Sequence, residues 1–194
     1  MNTVKNAGIK LAALTALLTM AASASAATVW TGPWVEFSKT GDDDPADPAN
    51  QDQLTELVSL TRGTNAGLYN ILQEEGFQRF QDVSPAGTAW AFQGLNGNPD
   101  SDVSAAEYES LVFTDFANAL GLQQVGRNIL DRPGVVHLIE EDIYLDILFS
   151  EWGSQDAGAN VTYQRTSVVP LPAAAWMLGS ALGLLGFVGR RPRP

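Results

Sequence analysis

The chain has 194 residues, no cysteine and a formal net charge of −11, with 22 Asp and Glu against 11 Lys and Arg. All 22 acidic residues lie between positions 36 and 156, and residues 27–169 hold only six basic residues, which gives that stretch a net charge of −16. A field of this sign excludes nucleic acid and anionic lipid as partners, and the lack of cysteine excludes disulfides as a source of stability.

The N-terminus has the features of a secretory signal peptide. Lys5 and Lys10 precede an apolar stretch at 11–22, and Ala24-Ser25-Ala26 forms a small-residue cleavage site. The apolar stretch is too short for a membrane anchor. We therefore expect signal peptidase to remove residues 1–26 and a single mature domain to occupy residues 27–167.

The first half of this domain alternates between strands and turns. Trp34–Lys39 alternates bulky and polar side chains and predicts a strand. Residues 41–52 hold two prolines and many turn formers, which predicts a loop. Residues 54–61 fit either a helix or a strand, and their β-branched side chains favour the strand. The spacing of apolar residues at 68–72 predicts a helix of at most two turns.

The second half repeats this mixture. Residues 89–92 predict a strand and 94–100 a loop. Residues 108–113 favour a strand, followed by a short helix over 114–120 that Gly121 ends. Because Ser104 and Glu107 have the spacing of a capping box, a helix that begins there is the alternative.

The clearest element covers 135–149. From position 143 onward its odd residues are all apolar, as in a strand with one buried face. Residues 161–166 alternate again and should return antiparallel. These patterns predict a mainly β chain, an antiparallel β-sandwich with one or two short helices, flanked by an N-terminal signal-peptide helix and a C-terminal transmembrane helix.

The C-terminal tail, 168–194, has the composition of a membrane signal. An uncharged, mostly apolar run covers 173–189, and Arg190, Arg191 and Arg193 follow it. Such a run predicts a transmembrane helix, and the arginines act as stop-transfer charges that keep the C-terminus cytoplasmic and the domain outside.

A short motif precedes this run: Val169, Pro170, Leu171, Pro172 and Ala173. The tail resembles the VPLPA-type variant of the PEP-CTERM sorting signal, which is found on exported proteins of Gram-negative bacteria. The resemblance is carried by the motif, the tryptophan-containing apolar helix and the arginine cluster, in that order. The resemblance implies recognition by an exosortase, a membrane protease-transpeptidase, followed by release of the domain or its attachment at the cell surface. A C-terminal anchor that is never cut is the alternative. The prolines would hold the motif extended.

The middle region resembles uncharacterised exported proteins with the same type of tail, and the likeness implies a shared β-rich domain without an assigned activity. It is carried by residues 50–52, 60–63, 84–85, 90–92, 137–139 and 142–147.

Catalytic candidates are few. His137, the only histidine, could act as a general base oriented by Asp142 or Asp146, but no Gly-x-Ser-x-Gly elbow accompanies it. A histidine hydrogen-bonded at a strand start is the favoured interpretation. Paired carboxylates among Glu140, Glu141, Asp142 and Asp146 could serve glycoside hydrolysis, although a solvated sheet face explains them more simply.

Among cofactors, only calcium is a candidate. Carboxylates on a flexible loop can supply its oxygen ligands. The spacing departs from known calcium loops, and a hydrated acidic loop is the alternative. The residues concerned are Asp42, Asp43, Asp44, Asp47 and Asp52.

Exposed aromatic side chains could stack on sugars, although most should pack in the core. The candidates are Trp30, Trp34, Trp90, Trp152, Tyr144 and Tyr163. The sequence thus predicts a non-enzymatic cell-surface or matrix protein with a structural or adhesive role, whose acidic surface calcium could bridge to anionic polysaccharide. A module that binds exopolysaccharide is the first alternative, and a secreted glycoside hydrolase the second.

Overall fold

The computed structural model describes residues 26–64, 67–78, 85–154 and 159–169. The chain is mainly β, with two sheets and short helices. The nine strands of the described residues are β1 (Thr28–Trp30), β2 (Trp34–Lys39), β3 (Asp52–Gln53), β4 (Ser59–Arg62), β5 (Leu68–Asn70), β6 (Thr88–Phe92), β7 (Gly134–Leu138), β8 (Ile143–Trp152) and β9 (Val161–Thr166). The helices are α1 (Phe116–Ala119), α2 (Val125–Asn128) and 3-10 turns at Pro48–Asn50, Ala105–Ser110 and Leu122–Gln124.

The larger sheet has the order β2-β9-β8-β7-β6, and its pairings are antiparallel. The exception is β1, which runs parallel to the beginning of β8. Strand β8 is long enough to pair with β7 along one edge and with β1 and β9 along the other. Its apolar side chains at 145, 147 and 149 are buried, as a period of two requires.

The smaller sheet, β3-β4-β5, covers the inner face of the larger one and gives a sandwich-like arrangement. Leu60 and Leu68 from the small sheet join Trp90, Phe92 and Phe149 from the large sheet in one buried cluster. This cluster is the main hydrophobic core, and its burial stabilises a chain that has no disulfides.

The outer face of the larger sheet is only partly covered. Residues 103–113, which include the 3-10 helix Ala105–Ser110, pack Val103, Ala105 and Tyr108 onto Val135 and Tyr144. The part of this face formed by β2, β9 and the end of β8 remains exposed to solvent.

Most predicted strands are confirmed: the strand at Trp34–Lys39, the one near 89–92, the one from Ile143 and the antiparallel return over 161–166. The predicted short helix is also confirmed as α1. The Asp115 side chain caps it by accepting from the Asn118 N–H, and Gly121 follows it at φ +80°.

Two local predictions were wrong, and a third was right only in part. Residues 108–113 are not a strand, because 105–110 form a 3-10 helix whose apolar residues cover the outer face of the sheet. Within the predicted helix at 68–72, residues 68–70 are instead strand β5, which pairs with β4, and a turn follows. Only the last part of 54–61 is a strand, because Thr55 Oγ1 accepts hydrogen bonds from the N–H groups of Leu57 and Val58 in a tight turn.

The expected signal-peptide helix and the expected transmembrane run at 173–189 lie outside the described residues. Among the residues that are described, no helix is long and apolar enough to cross a membrane.

Candidate functional site

The acidic loop forms its own turns. The Oδ1 atom of Asp44 accepts from the Ala46 N–H at 2.9 Å, and that of Asp47 accepts from the Ala49 N–H at 2.9 Å. Asn50 Nδ2 donates to the Asp44 carbonyl at 2.8 Å. Asp and Asn side chains commonly stabilise turns in this way, so two carboxylates of the calcium candidate hold the loop's shape.

Asp52 lies apart from this loop, inside the protein. Arg165 donates two hydrogen bonds to it, Nε to Oδ2 at 2.7 Å and Nη2 to Oδ1 at 2.6 Å, and the Tyr163 hydroxyl donates to Oδ2 at 2.8 Å. The two charged side chains are only 9% and 11% exposed. A forked, buried pair of this kind joins β3 of the small sheet to β9 of the large one.

Burial and the Asp52 carboxylate shift the pKa values of the two side chains that donate to it. Burial and the adjacent Asp52 raise the pKa of Tyr163. Burial opposes the charge of Arg165, but its hydrogen bonds to Asp52 outweigh that effect and raise its pKa. Within the described residues no three His, Asp or Glu side chains are close enough to hold a metal ion, and calcium binding by the loop stays a prediction.

Two further cations are buried on the same side of the large sheet. Arg62 stacks 3.8 Å above the Trp152 ring and donates to the carbonyls of Asn160 and Gly153 at 2.7 and 2.9 Å. Burial lowers the pKa of Arg62 to about 10. Lys39 Nζ donates to the Thr40 carbonyl at 2.9 Å, and burial lowers its pKa although nearby carboxylates oppose that shift.

Among the described residues, most cations therefore lie inside the domain and most carboxylates lie on its surface. Lys39 and Arg62 are buried, Arg165 and Arg132 are partly buried, and among the described residues of the mature domain only Arg127 is an exposed cation. Fourteen described Asp and Glu residues are exposed. The surface is more strongly acidic than the composition alone indicates.

His137 lies near the end of β7 and is fixed by its surroundings. Its Nε2 is 3.1 Å from Asp142 Oδ1, and its ring stacks on Tyr144 with centroids 4.2 Å apart. Phe113 contacts the same ring edge-on at 5.9 Å. Of the two acids predicted to orient it, Asp142 does so. These contacts match a hydrogen-bonded histidine in a sheet, at the strand's end rather than its start.

The other carboxylates of this candidate set differ in burial and in hydrogen bonding. Asp146 Oδ1 accepts from the Ala105 N–H at 2.6 Å, and burial raises the pKa of Asp146. Glu140 is exposed, whereas both carboxylate oxygens of Glu141 are buried and have no hydrogen-bond partner among the described residues. Each of the four acids thus has a different environment.

The aromatic candidates are mostly in the core, as the sequence suggests. Trp30, Trp90, Tyr144 and Tyr163 are buried, and Trp152 is the partly buried ring beneath Arg62. The exception is Trp34, which is 50% exposed at the start of edge strand β2. A row of exposed aromatic rings is thus absent from these six candidates.

The polar contacts between the sheets were missed in the sequence. One signal was available, because Val161, Tyr163 and Arg165 share one face of an alternating strand and a charge on a buried face calls for a partner. The partner, Asp52, is 113 residues away.

Comparison with protein-family models, curated proteins and solved structures finds no match for this chain.

Proposed function

We propose that this chain is an exported, non-enzymatic domain with a structural or adhesive role at the cell surface or in the extracellular matrix. In this proposal an antiparallel β-sandwich lies between a cleaved signal-peptide helix and a C-terminal transmembrane helix. An exosortase cuts at the Val169–Ala173 motif after export. The observation that carries the proposal is the order of this motif, the apolar run and the arginine cluster at the C-terminus.

The way the chain leaves the domain supports this assignment. The Ser167 N–H and hydroxyl both donate to the Pro33 carbonyl, at 3.2 and 2.8 Å, and the Gly32 N–H donates to the Ser167 carbonyl at 2.8 Å. Immediately afterwards Val168 and Val169 are 53% and 57% exposed. The motif therefore begins in solvent, next to a firmly held exit point.

The distribution of charge supports an extracellular structural role. Because the cations among the described residues are mostly internal, the described part of the domain presents exposed carboxylates with one exposed cation, Arg127. Such a surface keeps a protein soluble, repels anionic polymers and attracts cationic ones. The first alternative, a carbohydrate-binding module, is favoured by one specific observation, the exposed indole of Trp34.

Mass spectrometry of membrane and secreted fractions tests the proposal. We expect a mature chain that begins at Ala27 and ends within or before the motif. Replacing both Pro170 and Pro172 by alanine should leave the tail attached and the chain in the membrane fraction. The matched control is Pro45→Ala, which removes a proline outside the motif. A full-length chain recovered from the cytosol would contradict export, and an uncut chain in the membrane would contradict processing.

A further inference from the structure

The uncovered part of the outer face is a polar surface, which we call the open face; it comprises Trp34, Glu36, Ser38, Glu151, Thr162 and Gln164. The registers of β2 with β9 and of β8 with β9 place these side chains side by side on three neighbouring strands. From Trp34 to Ser38 the face extends about 13 Å along the strand. Five of the six residues are exposed, and Thr162 is half-buried.

Cross-strand hydrogen bonds hold the side chains of the open face in place. Gln164 Nε2 donates to Glu36 Oε2 at 3.3 Å, and the hydroxyls of Ser38 and Thr162 are 3.0 Å apart. Thr162 Oγ1 also donates to Glu151 Oε2 at 3.2 Å. Because these side chains are already ordered, a ligand that binds them loses less conformational entropy.

The chemistry of the open face suits a sugar polymer. A half-exposed indole gives a flat apolar surface for the C–H face of a pyranose ring, and hydroxyl, amide and carboxylate groups can bond to ring hydroxyls.

The charge of the open face indicates which class of polysaccharide it can bind. The open face has two carboxylates, while the cations of the same strands, Lys39 and Arg165, are on the opposite face and inside the protein. We infer that the open face binds a polysaccharide with free amino groups, of the glucosamine type. This inference rests on the proposed extracellular role, and it names the class of partner that the domain would hold.

A second copy of the chain is the competing occupant, because β2 is an edge strand and edge strands can pair. Pairing of β2 with β2 would bring Glu36 and the surrounding acidic surfaces of two copies together. Like charges placed opposite each other across strands are destabilising. An ammonium-bearing polymer meets no such repulsion.

Calorimetric titration of the full chain, in detergent where the tail is retained, tests the inference. The probes are a β-1,4-linked glucosamine hexamer, its fully N-acetylated counterpart and a hexa-uronate. We expect the glucosamine hexamer to bind about tenfold more tightly than the acetylated one, with an affinity that falls as salt rises. The hexa-uronate should not bind.

Variants of the open face locate the site. Trp34→Ala should weaken binding of both neutral and charged hexamers about fivefold or more, because the stacking surface is lost. Glu36→Gln with Glu151→Gln should remove the preference for the free amine. The matched controls are Ile139→Ala and Glu140→Gln, which alter an exposed apolar and an exposed acidic residue of the β7–β8 turn.

Several outcomes would overturn the inference. These are absence of binding by the unaltered chain, equal loss in the control variants, or self-association that depends on Trp34 in analytical ultracentrifugation. The readout is independent of where the chain is cut. Loss of binding with correctly processed ends would contradict only the inference, and binding by a cytosolic, unprocessed chain would contradict only the proposed function.

Discussion

The two faces of the large sheet use charge in opposite ways. On the inner side, Lys39 and Arg165 of this sheet and Arg62 of β4 are buried or partly buried, and they donate hydrogen bonds to carbonyls or to one buried carboxylate. On the outer face, Glu36 and Glu151 are exposed and accept bonds only from polar neighbours. Cations therefore serve the fold, while carboxylates remain available at the surface.

This difference also separates two kinds of polar interaction. A buried charge that loses its partner is costly, because water cannot replace it. An exposed carboxylate that loses a neighbour is rehydrated at little cost. Substitutions of similar size on the two faces should therefore have very different effects.

The largest effect is expected for Asp52→Ala, which leaves Arg165 and the Tyr163 hydroxyl without their buried acceptor. We expect a loss of about 3–5 kcal/mol in the free energy of unfolding, measured by urea denaturation. Asp47→Ala, which removes a capping carboxylate on the exposed loop, should cost about 1 kcal/mol. Adding Arg165→Met to Asp52→Ala should restore part of the loss. Equal costs for Asp52→Ala and Asp47→Ala would contradict the distinction.

A smaller loss is expected for Gly32→Ala at the exit of the chain. A Cβ atom there would lie 2.5 Å from the carbonyl oxygens of Ser167 and Val168, which are backbone atoms and cannot move freely. We expect a cost of about 1–3 kcal/mol in thermal or urea unfolding. Gly63→Ala is the control, because nothing lies within 4 Å of its Cβ position. Unchanged stability of Gly32→Ala would show that the exit point is not tightly held.

Calcium tests whether the exposed carboxylates of the loop act together. The calcium candidate comprises Asp42, Asp43, Asp44, Asp47 and Asp52, of which the first four lie on the acidic loop. If this loop binds the ion, calcium at ten times its Kd should stabilise the domain by about 1.4 kcal/mol. The rise in Tm should disappear with EDTA and in Asp42→Asn with Asp43→Asn. Glu56→Gln, an exposed acid outside the loop, is the control. A Tm that calcium leaves unchanged would contradict the prediction.

The smallest effect concerns Asp146, which lies on the outer face beneath residues 103–113. Burial raises the pKa of Asp146 above its ordinary 3.8, so the folded state holds its proton more tightly than the unfolded chain does. Its contribution then favours folding at acid pH and is lost as pH rises through the folded value. Asp146→Asn should therefore stabilise the domain at neutral pH but not below the ordinary pKa. Urea unfolding across pH, with Glu56→Gln as control, measures this difference.

Strands with one buried face were predictable from sequence because their apolar residues must alternate. This holds for β2, β8 and β9. The conformation of segment 105–113 was not predictable in this way. Leu111 and Phe113 pack on the outer face of the large sheet, and apolar residues in such a covering segment have the same spacing as those in a strand. Asp52 was placed with the acidic loop because local spacing cannot show that its partner lies in β9.

The open face was only partly predictable. Alternation in β2 and β9 indicates which side chains share a face, and Trp34 was already a candidate for contact with sugars. That this part of the sheet stays uncovered depends on where residues 103–113 pack, which is a tertiary property.

The position of β9 bears on when the domain can fold. It is the last strand of the described residues, yet it lies between β2 and β8 within the large sheet. Until it arrives, β2 has no partner, and contacts such as Glu36 with Gln164 must close over 128 residues. Such non-local closure is slow. A chain threaded through a membrane from its N-terminus would thus complete its large sheet only when β9 emerges.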